Sequence, residues 1–329
     1  MLIKFWPKQT HLKFMSLRMA GVILSIAMLT ASAFFLATRG LNFGVDFAGG
    51  TAMELDATET VNEGSVRAAI PFGADVNAAV GTDARRIVVV KFGNAPEALL
   101  DEEFQALTPE EKVERASGAT NELVVRSLKE KLGITDAQIL RNDSVGPKVS
   151  QELFRDGITA LVVALVLMLA YIWYRFEWQF SIGAVAALAH DVIITLGVFA
   201  FLQLEFNLTT IAALLTIIGY SMNDTVVVFD RVREEKRKYK KMHDRDVIDL
   251  ALNSTLSRTL LTSGTTLIAL LAIFFLGGPV LRGMSFALIW GIVIGTYSSI
   301  FIASSIVLSL GMDLTKKPIE DTPGFQGAP

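Results

Sequence analysis

A chain of 329 residues that is 52% hydrophobic, with a mean hydropathy of +0.47, is too apolar for one water-soluble domain, and its apolar residues fall in long blocks. The net charge of −3 gives no global field for a nucleic acid, so no nucleic-acid partner is expected and charge matters by location. The chain has no cysteine and only His11, His190 and His243, with no HExxH and no GxxxxGK[S/T]. Thiolate metal sites and disulfides are therefore excluded, and neither a metal nor P-loop nucleotide hydrolysis is expected.

A bilayer core takes about 20 apolar residues in helix. Residues 1–18 are basic, with Lys4, Lys8, Lys13 and Arg18, and the first apolar block, 19–38, lies between Arg18 and Arg39. Ala31-Ser32-Ala33 is similar to a leader cleavage site, but the block outruns a usual leader and continues past it, so it reads as an uncleaved span. Residues 39–152 then carry short alternating runs. Strands are predicted at 51–57, 75–81, 86–92 and 137–142, and helices at 62–70 and 121–132. Strand-helix-strand, repeated, is the order of a ferredoxin-like α+β domain. The acidic stretch 97–115 is expected as a mobile insertion between its halves.

Five further spans are predicted at 153–174, 180–202, 207–229, 259–276 and 284–310, forming a bundle over 153–310. A basic loop, 231–257, holds eight Lys/Arg against five Asp/Glu, and the tail 311–329, with Lys316 and Lys317, is expected to be disordered. Six spans place both termini and the basic loop on one side. The positive-inside rule makes that side cytoplasmic, so the α+β domain falls on the opposite side of the membrane. The expected fold is a polytopic α-helical membrane protein with six transmembrane helices and one ferredoxin-like α+β domain, outside the cytoplasm, between the first and second.

Inside this frame one residue is out of place. Asp224 follows about eighteen uncharged residues in the fourth span and precedes five more, and helical spacing sets it near Thr209, Ala213, Thr216, Tyr220, Asn223 and Val227. At 1.5 Å per residue it lies about 9 Å from the centre of its span, and Arg258 enters the next span at similar depth. An ionisable group at membrane depth is a functional candidate. Asp191, beside His190 in the third span, is a second one, either as a relay group or as a structural polar contact. Small residues recur every fourth position in the sixth span, at Ala287, Gly291, Gly295, Ser299 and Ala303, and a small and polar stripe runs down the fifth from Ser254 to Ala272. Such stripes let helices approach closely, either within the subunit or across to a partner.

GLNFGVDFAGGT (40–51), VGPKVSQEL (145–153), AHDVIITLG (189–197), GYSMNDTVVVFDRVRE (219–234) and NSTLSRTLLTS (253–263) together resemble the SecF family. That family supplies the smaller membrane subunit of the bacterial SecD–SecF complex, related to the resistance-nodulation-division exporters. The resemblance covers residues 40 to about 263, and the first and sixth spans match only in position and character. It implies a bacterial inner membrane with the α+β domain periplasmic, a SecD partner, docking on the SecYEG channel, and use of the proton motive force to draw secretory polypeptides across after SecA has pushed them. Protons would be the coupling ion, with no other cofactor. On the matching positions it implies that Asp224 is the intramembrane proton-relay acid and Arg258 the arginine that works with it. Tyr220 and Asn223, on the same face, could orient the carboxyl or water, and Asp191 could extend the relay. Asp46, Gly49 and Gly50 match the DFxGG motif, and Gly146 and Pro147 the motif before the second span, both structural. SecD is expected to pair across the small and polar faces of the fourth, fifth and sixth spans. Other functions fit the residues alone: a half-size exporter of lipophilic solutes, a scaffold of the channel, or an aspartyl protease pairing Asp191 with Asp224.

Overall fold

The computed structural model describes residues 10–80 and 86–312. Lys4, Lys8, the last residue of the strand predicted at 75–81, and the tail from residue 313 with Lys316 and Lys317 lie outside the described residues.

Helix α1 (Arg18–Thr38) fills the first predicted span. The chain then forms a two-residue strand β1 (Asn42–Phe43), a short helix α2 (Val45–Ala48) and an α+β unit. That unit comprises β2 (Gly50–Asp56), α3 (Glu63–Ala69), β3 (Asp75–Val80), β4 (Arg86–Phe92), α4 (Glu102–Gln105), α5 (Pro109–Leu132) and β5 (Ile139–Val145). Its four strands are antiparallel in the order β3-β4-β2-β5. Period-two alternation turns Met53 and Leu55 of β2 and Val88 and Val90 of β4 to one face, where Val66 and Ala69 of α3 and Val124 and Leu128 of α5 cover them. Each of the Met, Leu and Val side chains contributes about 1.5–3 kcal/mol on full burial, so this face holds the unit together.

The acidic stretch is not a mobile insertion. Helix α5 begins at Pro109, twelve residues before the predicted start, because Thr108 and Glu111 form a reciprocal capping box with Pro109 in the first turn. Upstream, Leu100 and Phe104 bury against Ala95, Phe72 and Leu107 in a small core of their own. The charges occupy the outer face of an amphipathic segment, and a reading by charge alone missed the apolar residues between them.

The remaining chain is helical: α6 (Pro147–Arg175), α7 (Trp178–Leu202), then a two-residue strand β6 (Glu205–Phe206), α8 (Leu208–Lys238), α9 (Asp244–Leu276), α10 (Gly278–Ser298) and α11 (Ser304–Leu310). A single π turn, Ser299–Ala303, joins α10 to α11, and the Ser304 hydroxyl donates to the Ser299 carbonyl at 2.9 Å. Among the described residues six helices are long and apolar enough to cross a membrane: α1, α6, α7, α8, α9 and α10 with α11. Of these α7, α8 and α10–α11 form the buried middle. Helices α1, α6 and α9 lie outside it and expose apolar side chains such as Ile23, Leu167 and Ile268.

Two further expectations need correction. The basic segment 231–257 is not a loop: α8 runs to Lys238 and α9 starts at Asp244. Arg231 pairs with Glu234 at 2.6 Å and Glu235 at 2.7 Å, so same-helix ion pairs carry α8 beyond its apolar part. The sixth-span stripe does not face outward. Ala287, Gly291, Gly295, Ser299 and Ala303 are all buried inside this chain, with Gly291 against Ile217 and Gly295 against Ser221, both on α8. The fifth-span stripe does face outward, for Ser254, Arg258, Thr265, Ala269 and Ala272 are exposed.

The two ends of the bundle differ. At one end Leu12 and Met15 donate backbone N–H groups to Asn253 and Asp249 at 2.9 and 2.8 Å, seating the N-terminal segment beside the α8–α9 turn. At the other, β1 pairs in parallel with β6, placing Phe43 opposite Phe206, and Lys91 of β4 forms an ion pair with Glu205. The α+β unit is thus held to the α7–α8 connection.

Candidate functional site

Asp224 is 4% exposed, on the side of α8 that faces its neighbours, and its Oδ2 has no hydrogen-bond partner. Buried polar atoms are nearly always bonded, so a bare carboxylate oxygen in a spanning helix requires an explanation. The groups acting on it both come from α9: the Thr259 hydroxyl and the charge of Arg258. No ion pair within 4 Å joins Asp224 to Arg258. Arg258 is exposed and lines a cleft of about 620 Å³ between α8 and α9, with Val227, Asp230, Arg231, Glu234, Ser254 and Thr255. Val227 is one turn from Asp224, so the cleft ends close to the acid. An acid with a free oxygen, a cation in Coulomb reach but unpaired, and an opening beside both can take up and release a proton.

Tyr220 and Asn223 do not join this arrangement. Successive residues turn about 100° around a helix, so Asn223 is exposed while Asp224 is buried. The Tyr220 hydroxyl donates to Thr266 of α9 at 3.5 Å rather than to the carboxyl. Sequence reasoning placed these residues on one face, but that face straddles the buried and exposed sides.

Asp191 is fully buried and fully bonded. Its Oδ2 accepts from Ser221 of α8 at 2.6 Å and Ser298 of α10 at 2.8 Å, and its Oδ1 lies 2.9 Å from Nδ1 of His190. The other ring nitrogen of His190 lies 3.1 Å from Ser25 of α1, so one pair of adjacent residues ties four helices together. Asp191 and Asp224 share no hydrogen bond, which removes the geometry of an aspartyl dyad. Ser25, Ser221, Tyr297 and Ser298 were not singled out from the sequence, since hydroxyls are common in spanning helices and their spacing does not name the helix they face. A second unforeseen group is the buried ion pair of Arg233 with Glu177, Nε to Oε2 at 3.0 Å, at the far end of α8.

The glycine motif has a definite backbone role. Gly49 ends α2 at φ +73° and Gly50 starts β2 at φ +115°, where an added Cβ would meet the Phe92 carbonyl oxygen. This turn presents Asp46, whose Oδ2 accepts the N–H of Leu208, the first residue of α8, at 3.0 Å. A carboxylate at a helix N-terminus is favoured by the unpaired N–H groups and the dipole. Pro147 occupies the first turn of α6 behind Gly146, whose φ of −72° is ordinary.

Six spanning helices among the described residues, with Asp191 and Asp224 buried between them and one α+β unit inserted after the first helix, define a polytopic helical membrane protein with ionisable groups in its interior. Residues 124–313 match the family described as protein export membrane protein SecD/SecF, C-terminal, and residues 34–61 match the SecD/SecF GG motif. The protein translocase subunit SecF of Cereibacter sphaeroides is 43% identical over 321 residues, covering 94% of this chain and 93% of that one. That of Vibrio alginolyticus is 44% identical over 300 residues, covering 91% and 90%. The crystal structure of SecDF, a translocon-associated membrane protein from Thermus thermophilus, superposes with a TM-score of 0.74 at 33% identity, covering 93% of this chain and 39% of the longer one. A structure of SecDF in a super-membrane-facing form gives 0.65 at 34% identity over the same shares. The chain belongs to the SecF family of protein translocase subunits: a multi-pass membrane component of protein export, a transport component rather than an enzyme of ordinary type.

Proposed function

We propose that this chain is the SecF half of a proton-driven export machine in a bacterial inner membrane. It pairs with SecD, acts on secretory polypeptides at the SecYEG channel, and supplies the late stage of translocation after SecA. The observation that carries this reading is Asp224, buried with a free carboxylate oxygen beside a cleft that holds Arg258. Protons are the coupling ion. Each one moving down the potential releases about 2.3 kcal/mol per 100 mV. That exceeds the roughly 1.4 kcal/mol that shifts a two-state equilibrium tenfold.

The SecD partner is supported by the SecDF structures, in which the matched region is 39% of a longer chain, and by the outward stripe of α9. The α+β unit reads as ferredoxin-like, supported by a strand order equivalent to 2-3-1-4 with helices after its first and third strands. Its periplasmic placement, with cytoplasmic termini, is supported by Lys236, Arg237 and Lys238 at the end of α8, beside which the N-terminal segment is seated. Asp224→Asn keeps the size and hydrogen-bonding capacity of the side chain but cannot ionise. In inverted membrane vesicles it is expected to keep SecD co-purification and SecA-driven export while losing the part that depends on the proton motive force. Wild-type dependence in the variant would make Asp224 a structural acid.

A further inference from the structure

We propose that Asp191 and His190 form a second proton-holding site, which carries two protons shared among Asp191 Oδ1, His190 Nδ1 and His190 Nε2. The hydrogen bonds around the ring fix the count of hydrogens. Beyond Nε2 of His190 lies Ser25 Oγ at 3.1 Å, beyond that Tyr297 Oη at 2.9 Å, and Tyr297 donates to the carbonyl of Gly21 at 2.5 Å. These three links need three protons, and the two hydroxyls supply one each. The Gly21 carbonyl can only accept, which commits the Tyr297 proton. The Ser25 proton must then point to Tyr297, and Nε2 must donate to Ser25. The link between Nδ1 and Asp191 takes a further proton, lying nearer either atom.

The pair therefore exists as carboxylate with imidazolium or as carboxylic acid with neutral ring, and both forms are net neutral. Removing one proton leaves a net negative pair and turns the Ser25 proton to the ring, so that two oxygens face each other at 2.9 Å with no hydrogen between them. A buried polar atom left without its bond costs free energy, and an isolated charge inside a membrane costs more.

The surroundings are consistent with this count. The groups bonded to the pair are Ser25 from α1, Ser221 from α8, and Ser298 from α10, with Tyr297 behind Ser25. Among the described residues no other ionisable side chain makes a hydrogen bond or ion pair with either residue. Asp224 lies three residues beyond Ser221 on α8, and Arg258 acts on Asp224 from α9. Ser221, which donates to Oδ2 of the pair, is one turn from the candidate relay acid. The inference thus deepens the proton reading of the bundle, yet the count rests on hydrogen bonding alone, and its test is independent of export.

The test uses the full chain with His11→Gln and His243→Gln, both at exposed positions, so that His190 is the one histidine left. With ¹⁵N-labelled histidine and the protein in lipid bilayers at neutral pH, nitrogen NMR reads each ring nitrogen. A proton on Nε2 in essentially every molecule is expected, and a bare Nε2 would overturn the proposal. Tyr297→Phe frees the Ser25 proton to turn toward the ring, so the Nε2–H signal should be lost from most molecules. Its persistence there would show that the hydroxyl chain does not hold the proton, which removes the argument.

Discussion

Gly291 gives the most demanding test of how the bundle is packed. A Cβ built there falls on Cδ1 and Cγ1 of Ile217 and lies 2.8 Å from its Cγ2, well inside ordinary carbon contact of about 3.5–4.0 Å. Ile217 is 1% exposed and packs with Leu214 and Ala287, so it has little room to give way. Overpacking of this kind costs about 1–3 kcal/mol. Replacing a helical glycine by alanine also gains up to about 1 kcal/mol of helix propensity, which the measurement must cancel. Gly264 on α9 provides the control, since nothing lies within 4 Å of its built Cβ. Gly291→Ala should therefore unfold more readily than Gly264→Ala by about 1–3 kcal/mol, roughly a 5- to 150-fold change in the equilibrium. Reversible denaturation of the purified chain in mixed micelles reads this difference. Ile217→Val removes one of the atoms that clash, so the double variant should recover part of the loss, with a coupling of about 0.5–3 kcal/mol. If Gly291→Ala and Gly264→Ala are equally stable within about 0.5 kcal/mol, the α8–α10 contact is not as described.

Other consequences are testable in the same way. Because the chain has no cysteine, Phe43→Cys with Phe206→Cys introduces one possible intramolecular disulfide. Oxidation should form it if β1 and β6 pair in register, and protein that stays fully reduced would refute the pairing. Arg233→Ala strands the buried Glu177 and should cost about 3–5 kcal/mol of stability by denaturation, with Glu177→Gln in the same chain restoring part of it. Hydrogen bonds from the Thr108 side chain and backbone hold Glu111 below the usual carboxylate range. Its folded value is the lower one, so its support of the first turn of α5 is full above the unfolded value and lost as pH falls through the folded one. Hydrogen exchange at that turn should rise over this acidic window in the native chain and show a smaller step in Thr108→Ala, which keeps only the backbone donor to Glu111.

What could be read from the residues depended on how many of them shared the signal. Each span was legible because hydropathy sums over some twenty side chains, and an error at one position changes little. Helix ends were not. Arg231 with Glu234 and Glu235 extends α8 by local pairing that hydropathy does not register, and Thr108 with Glu111 starts α5 where charge suggested a loop. Asp224 stood out because one carboxylate interrupts an apolar run. Its unbonded oxygen and the outward turn of Asn223 depend on which helices flank α8, and that is a property of the bundle. The Asp191 network was hidden for the same reason: Ser25, Ser221 and Ser298 lie far apart in sequence and acquire a role only once α1, α8 and α10 meet α7.

The attachment of the α+β unit shows why α8 matters at both ends. Asp46 meets the N-terminus of α8 at Leu208, sixteen residues before Asp224, which is about 24 Å along a helix. Around that point Phe43, Phe47, Phe154 and Phe206 pack edge-on or tilted, with centroids 5.5–6.4 Å apart. Such ring pairs contribute about 0.5–1.5 kcal/mol each beyond the area they bury. The ion pair of Lys91 with Glu205 has side chains about a third exposed, so after solvent screening it contributes at most about 1 kcal/mol. The aromatic cluster and the Asp46 cap therefore hold the unit to α8, and the ion pair only orients it. Nothing breaks the helix between Leu208 and Asp224, so one continuous helix joins the acid to the cap. The buried acid and the anchor of the α+β unit are two ends of one rigid rod.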